Sequence, residues 1–209
     1  MNNKIWSFLS YLFHPLFMPT LGIFIVMWND PFIYLSFDSY LPWISVMGVV
    51  FVCTALLPLL LIWTLLKMQK ISSLQNPTEV DRRMLICFTE LGFILAYLAF
   101  HNIPSIGRSI SLFILGLNIA MIATLLVSFI QRTSFHATAT GGMVGTAIGL
   151  MYYTRMDMKY WIIGTALMAC LTGYARFRLK AHNTYELYLG YAIGILSLAL
   201  VFIIGAKHA

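Results

Sequence analysis

Charge is scarce in this chain. Asp, Glu, Lys and Arg make up 10% of its 209 residues, against about 25% in an ordinary soluble domain. That deficit excludes a globule kept in water by a charged surface and points to lipid as the solvent. Acidic residues are the scarcer sign, 7 against 13 basic. The basic excess forms no stripe with interleaved aromatics, so nucleic-acid binding is excluded. There are three cysteines, Cys53, Cys87 and Cys170. All fall inside apolar runs without metal-ligand spacing, and they read as small buried hydrophobes.

Long hydrophobic runs fill the space that charge leaves, with 60% of residues hydrophobic. A bilayer span needs about 20 mainly apolar residues. Seven runs qualify, at 5–28, 42–66, 84–101, 106–130, 136–154, 158–175 and 185–206. The expected fold is an all-α integral membrane protein, a single membrane domain over 1–209 built as a bundle of six to seven transmembrane helices. Lys4 precedes the first run and no small-residue cleavage site follows it, so that run reads as a retained span. It carries His14, Pro15 and Pro19; prolines are tolerated in a span when neighbours satisfy the freed carbonyls. The link 29–41 is aromatic and acidic, as expected of an interfacial loop. Gly141, Gly145 and Gly149, spaced by four, form a small-residue face for close helix packing.

The polar residues cluster. Arg82 and Arg83 end the link 67–83. Arg132-Thr133-Ser134-Phe135-His136 opens the fifth run, with Thr133 or Ser134 as N-cap and His136 in the first helical turn. A helix start of this kind suits an anion. The stretch Ala175–Gly190 holds Arg176, His182 and Glu186. Arginine is a fork for phosphate oxygens. Histidine serves as nucleophile or proton carrier near neutral pH, and a carboxylate fixes its tautomer and orientation. An even number of spans separates each cluster from the next, so all three emerge on one face. That face carries nine basic residues (Lys4, Lys67, Lys70, Arg82, Arg83, Arg132, Arg176, Arg178 and Lys180) against four on the other (Arg108, Arg155, Lys159 and Lys207). The positive-inside rule places the nine, and the N-terminus, in the cytoplasm.

These clusters resemble the signatures of the phosphatidic acid phosphatase type 2 superfamily. A-R-x5-H-x3-E, from Ala175 to Glu186, is similar to the third signature, S-R-x5-H-x3-D. T-S-F-H, Thr133 to His136, is similar to the second, P-S-G-H, and the loop ending in Asp81-Arg82-Arg83 looks like a reduced first signature, K-x6-R-P. The resemblance covers roughly 67–190. The whole chain looks like small bacterial membrane proteins of this superfamily that open with H-P-L-x-M-P, here His14 to Pro19. It implies a bacterial inner-membrane lipid phosphatase that needs no cofactor and no metal. His182 attacks phosphorus and Glu186 orients it. His136 protonates the leaving oxygen. Arg176, Ser134 and Arg83 or Arg82 hold the phosphate. The implied partners are a lipid phosphate or diphosphate substrate and the surrounding membrane lipids.

The pattern departs from the family at several points. Gln75 and Asn76 stand where the first signature has its Lys, and no Pro follows the Arg. Ala175 replaces Ser, and Phe135 replaces a Gly whose backbone approaches the phosphate. Other readings stay open beside this one. Asn183 and Glu186 also read as a capping box, with His182 then preceding the helix. His136 and His14 also read as hydrogen-bonded structural histidines, and Arg176, Arg178 and Lys180 as loop charge. At the level of function the alternatives are a catalytically inactive lipid-phosphate binder on the same fold and, from His14 and the proline-broken first run, a small transporter.

Overall fold

The computed structural model describes residues 3–36, 39–71, 78–103 and 107–207. These residues form helices and connecting turns, with no strand among them. In chain order the helices are α1 (Asn3–Leu12), α2 (Met18–Asn29), α3 (Pro31–Ser36), α4 (Tyr40–Phe51), α5 (Leu57–Lys67), α6 (Glu79–Phe100), α7 (Arg108–Ser128), α8 (Phe135–Thr154), α9 (Lys159–Arg178) and α10 (Thr184–Ala206). A five-residue π turn, Val52–Leu56, joins α4 to α5 without a break. Four stretches are long and apolar enough to cross a membrane: the α4–α5 rod Tyr40–Lys67, α6, α7 and α10.

The run 5–28, expected as one span, is two short helices. The chain turns between Leu12 and Met18 around Pro15, which has no N–H to continue a helix. Pro19 then sits in the first turn of α2, where its missing donor costs nothing. At 1.5 Å per residue, α1 and α2 reach about 15 and 18 Å, short of a hydrocarbon core of about 30 Å. Helices α8 and α9 have 20 residues each, enough in length. They fall outside those four apolar stretches, and α8 is walled by protein. Its Thr140 and Thr146 hydroxyls donate to the carbonyls of His136 and Gly142, each at 2.8 Å. Helix α6 begins earlier than the apolar run at 84–101. Asp81 N–H donates to Thr78 Oγ1 (3.1 Å) and Thr78 N–H donates back to Asp81 Oδ2 (3.2 Å), a capping box that starts the helix at Glu79. Arg82 and Arg83 therefore lie in a helix, whereas Gln75 and Asn76 lie outside the described residues.

The tightest packing is between α8 and α10. The small-residue face of α8 lies on α10 as its spacing predicts: a Cβ at Gly145 would stand 2.9 Å from Ile195 Cα, and one at Gly141 2.9 Å from Tyr191 Cα. Reciprocally, a Cβ at Gly194 would collide with Thr138 O. Here backbone touches backbone, a spacing only glycine permits. The N-terminal ends of α6, α8 and α10 and the C-terminal end of α9 meet at one end of the bundle, beside the turn between α1 and α2. Trp28, Tyr34 and Trp43 gather at the other end of α2, their ring centroids 6.0–6.4 Å apart.

Candidate functional site

A cavity of about 760 Å³ opens among α2, α5, α6, α7, α8 and α10. Its two ends differ in chemistry. At the end where the helix termini meet, it is lined by His14, Arg82, Arg132, His136, Arg176 and His182. Deeper in the bundle its walls are apolar, among them Leu59, Ile62, Phe93, Leu117, Met121 and Met143. At the polar mouth Arg82, Arg132, Lys180 and His182 also bound a smaller hollow of about 300 Å³ with Asn183 and Glu186.

His182 stands in the loop between α9 and α10. Its Nδ1 is 2.6 Å from Glu186 Oε2, and both side chains are largely buried. The N-cap and the contact with His182 coexist, although the reciprocal backbone bond of a capping box is not formed. Asn183 is the N-cap of α10 and accepts from Glu186 N–H at 2.8 Å, while its amide donates to Glu186 Oε1 at 3.3 Å. Glu186 thus sits in the first turn with one oxygen on the cap and the other on the imidazole. The cap brings together residues four apart even though His182 precedes the helix. With Nδ1–H donated to the carboxylate, the lone pair of the neutral ring is on Nε2. Burial pushes the His182 pKa below its usual value, and Glu186 pulls in the opposite direction while Arg176 and Arg82 add to the lowering.

His136 lies in the first turn of α8, where Ser134 is the N-cap and accepts from Ala137 N–H at 3.4 Å. Ser134 N–H in turn donates to the carbonyl of Glu186 at 3.3 Å. That bond ties the start of α8 to the first turn of α10, and so His136 to His182. His136 Nε2 is 3.2 Å from the carbonyl oxygen of Ser10 and 3.3 Å from its Oγ. A carbonyl can only accept, so Nε2 carries the proton. Arg176, in the last turn of α9, donates from Nη1 to Ser10 Oγ at 3.0 Å, while its buried Nε has no partner among the described residues.

The adjacent arginines diverge. Arg82 is buried, donates from Nη2 to the carbonyl of Thr133, and stacks 5.2 Å over the Phe135 ring, facing the cavity. Arg83 points along α7, donating to Ser128 O at 3.2 Å and lying 4.5 Å over Phe129. The sites read from the sequence thus separate. Arg82, His136, Arg176 and His182 line the large cavity, Glu186 lines the smaller hollow, and neither Arg83 nor Ser134 lines either. Ser134 is buried as the cap that starts α8.

The mouth is strongly cationic. Arg82, Arg132, Arg176 and Lys180 line it, with Glu186 as the one carboxylate among the lining residues. Arg132 is ion-paired with Glu79. Among the described residues no carboxylate lies within ion-pair distance of Arg82 or Arg176. An inward-facing cation without a counter-charge costs several kcal/mol, so the mouth is built for an anion. Lys180 is an exposed cation of the mouth. It closes α9 with φ 54°, a left-handed conformation that favours glycine. Its N–H donates to Phe177 O and the next N–H, Ala181, to Arg176 O.

Two residues of interest escaped the motif reading. Ser10, which joins Arg176 to His136, is one serine in an apolar stretch and gives no sequence signal. Glu90 does: it is a carboxylate inside the run 84–101. It is buried, and neither oxygen has a hydrogen-bond partner among the described residues. Among the described residues no three His, Cys, Asp or Glu side chains converge as a metal site. No family model, no curated protein and no solved structure matches the chain.

Proposed function

We propose that this chain is a lipid phosphatase of the phosphatidic acid phosphatase type 2 kind, a bacterial inner-membrane protein of about six spans, the first run entering the bilayer only as the short helices α1 and α2, whose site faces the cytoplasm. It acts without a metal. His182 Nε2 attacks the phosphorus of a lipid phosphate or diphosphate, and the bond from phosphorus to the leaving oxygen breaks. His136, doubly protonated once the anionic phosphate is bound, gives its Nε2 proton to that oxygen and is left as the neutral ring. Water then attacks the phosphohistidine, His136 takes the water proton, and inorganic phosphate leaves with His182 restored. Glu186 accepts Nδ1–H throughout and stabilises the ring as its charge rises. Arg82 and Arg176 hold the non-bridging oxygens, stabilising the charge that builds in phosphoryl transfer.

The observation that carries this reading is the two-ended cavity. A headgroup fits the end lined by Arg82, Arg176, His136 and His182, and an alkyl or prenyl tail fits the apolar end. The volume lies within the range of roughly 300–1,000 Å³ usual for ligand sites. The test is phosphate release by purified protein in detergent with EDTA present. His182→Ala is expected to lower it by about 10³-fold or more. Release that survives this substitution overturns the mechanism.

A second reading has its own observation. The His136 proton is held by Ser10, and the Phe135 ring lies against Arg82, an arrangement that also suits a lipid-phosphate binder without turnover. Such a binder holds anionic lipid through Arg176 and forms no covalent intermediate. Trapping phosphate on His182 excludes it.

A further inference from the structure

The turn between α1 and α2 contributes an imidazole to the cavity mouth that none of the three signature clusters contains. His14 lines the same cavity as Arg82, His136, Arg176 and His182. Its ring stands edge-on to that of His136, with centroids 5.5 Å apart and planes at 79°. Its Nδ1 accepts from the N–H of Leu16 at 3.4 Å, within the turn itself. In the neutral ring that bond leaves the proton on Nε2, so the second nitrogen is a donor. The turn is fixed from several directions. Phe17 N–H and Met18 N–H donate to His14 O and Pro15 O at 3.0 and 3.3 Å. On α1, Trp6 packs edge-on to Tyr174 of α9 at 5.0 Å. Ser10, one turn before His14, accepts from Arg176 and holds the His136 proton.

The usual explanation for a histidine among helices is a hydrogen bond to a neighbouring helix. His14 bonds its own turn instead, and its remaining donor side is left for the cavity. The two imidazoles beside it already have carriers for their protons, Glu186 for His182 and Ser10 for His136.

We propose that His14 is a phosphate-binding residue, donating Nε2–H to an oxygen of the phosphoryl group, so that the N-terminal segment is a wall of the anion site and not only a packing element. This rests on the lipid-phosphatase reading, whose bound ligand it shares. On that basis Arg82 and Arg176 hold the phosphate from two sides and His14 closes a third. A donor to a charged oxygen contributes enough that its loss weakens binding by about tenfold or more.

The test compares His14→Phe, which keeps a ring and removes the donor, with His14→Gln, whose amide can still donate. Both are measured in full-length detergent-solubilised protein for inorganic phosphate affinity, for KM and kcat on a short-chain lipid phosphate, and for thermal midpoint. The expected result is phosphate affinity weakened about tenfold or more in His14→Phe, a raised KM, an unchanged midpoint, and at least partial recovery in His14→Gln. Unchanged affinity and KM in His14→Phe overturn the proposal while leaving the phosphatase reading intact. So do equal losses in both variants accompanied by a lowered midpoint, which mark a structural role. A wild-type protein that neither binds phosphate nor releases it, with His182→Ala no different, overturns the phosphatase reading itself and this inference with it.

Discussion

A methyl group added at Gly48, on α4, meets nothing within 4 Å, whereas one added at Gly194, on α10, runs into the backbone of α8. The α4–α5 rod turns Ile44, Leu60 and Trp63 outward, each more than half exposed, as apolar helices facing lipid do. Its shape is held by its own hydrogen bonds, and Thr54 Oγ1, in the π turn, bonds back to Val50 O of α4 at 2.8 Å. The α8–α10 seam gains little from apolar burial, because lipid tails are as apolar as leucine. It is held by close backbone contact, and that contact sets the distance between the first turns that carry His136 and Glu186. One region supplies surface for the bilayer and a side wall for the cavity. The other sets the positions of His136 and Glu186 at the cavity mouth.

The largest effect is expected where the seam is forced apart. Gly194→Val should destabilise the fold by about 3 kcal/mol, the upper range for overpacking, and reduce phosphate release, read by thermal unfolding in detergent and by turnover. A variant as stable and active as wild type would remove the distinction between seam and rod. Next is Glu186→Gln, expected to lower turnover by about 10²-fold by loosening His182. It should also move the acid limb of the pH profile. On the proposed mechanism activity needs neutral His182, and burial holds its pKa below the usual value while Glu186 raises it. Activity should therefore persist below about pH 6.5 and fall as pH drops through the lowered pKa, and removing the carboxylate charge should shift that fall to lower pH. A shift to higher pH contradicts the assignment.

Smaller effects sharpen the contrast. Glu90→Leu removes a buried carboxylate with no partner among the described residues and should raise stability by about 2 kcal/mol. A loss of activity in that variant instead would give Glu90 a role. Lys180→Gly should stabilise the α9 end by about 1 kcal/mol by relieving the positive φ, while weakening anionic-lipid binding. Gly48→Ala should change stability by less than about 1 kcal/mol, and in the favourable direction.

Much of this is legible in the sequence. Scarce charge and long apolar runs gave an all-helical chain with membrane-length helices. The face-sharing argument put Arg82, Arg83, Ser134, His136, Arg176, His182 and Glu186 on one side; of these Arg82, His136, Arg176 and His182 line one cavity, and Arg83 and Ser134 do not. The spacing of Gly141, Gly145 and Gly149 identified the seam. Other features were not legible, for physical reasons. Hydropathy averages over a window, so it passes smoothly through the turn at Pro15 and joins α1 to α2. Spacing alone does not say which of two adjacent arginines faces inward, because neighbours on a helix point about 100° apart and the choice depends on α7. Ser10 is found only through its contacts, which bridge residues far apart in the chain.

The most direct measurement is the position of a non-hydrolysable lipid phosphonate in a crystal structure of the complex. The account predicts the phosphonate between His182, Arg82 and Arg176, with its tail running past Ile62 and Leu117 into the bundle. A phosphonate bound elsewhere, with the cavity mouth left to solvent, would contradict it.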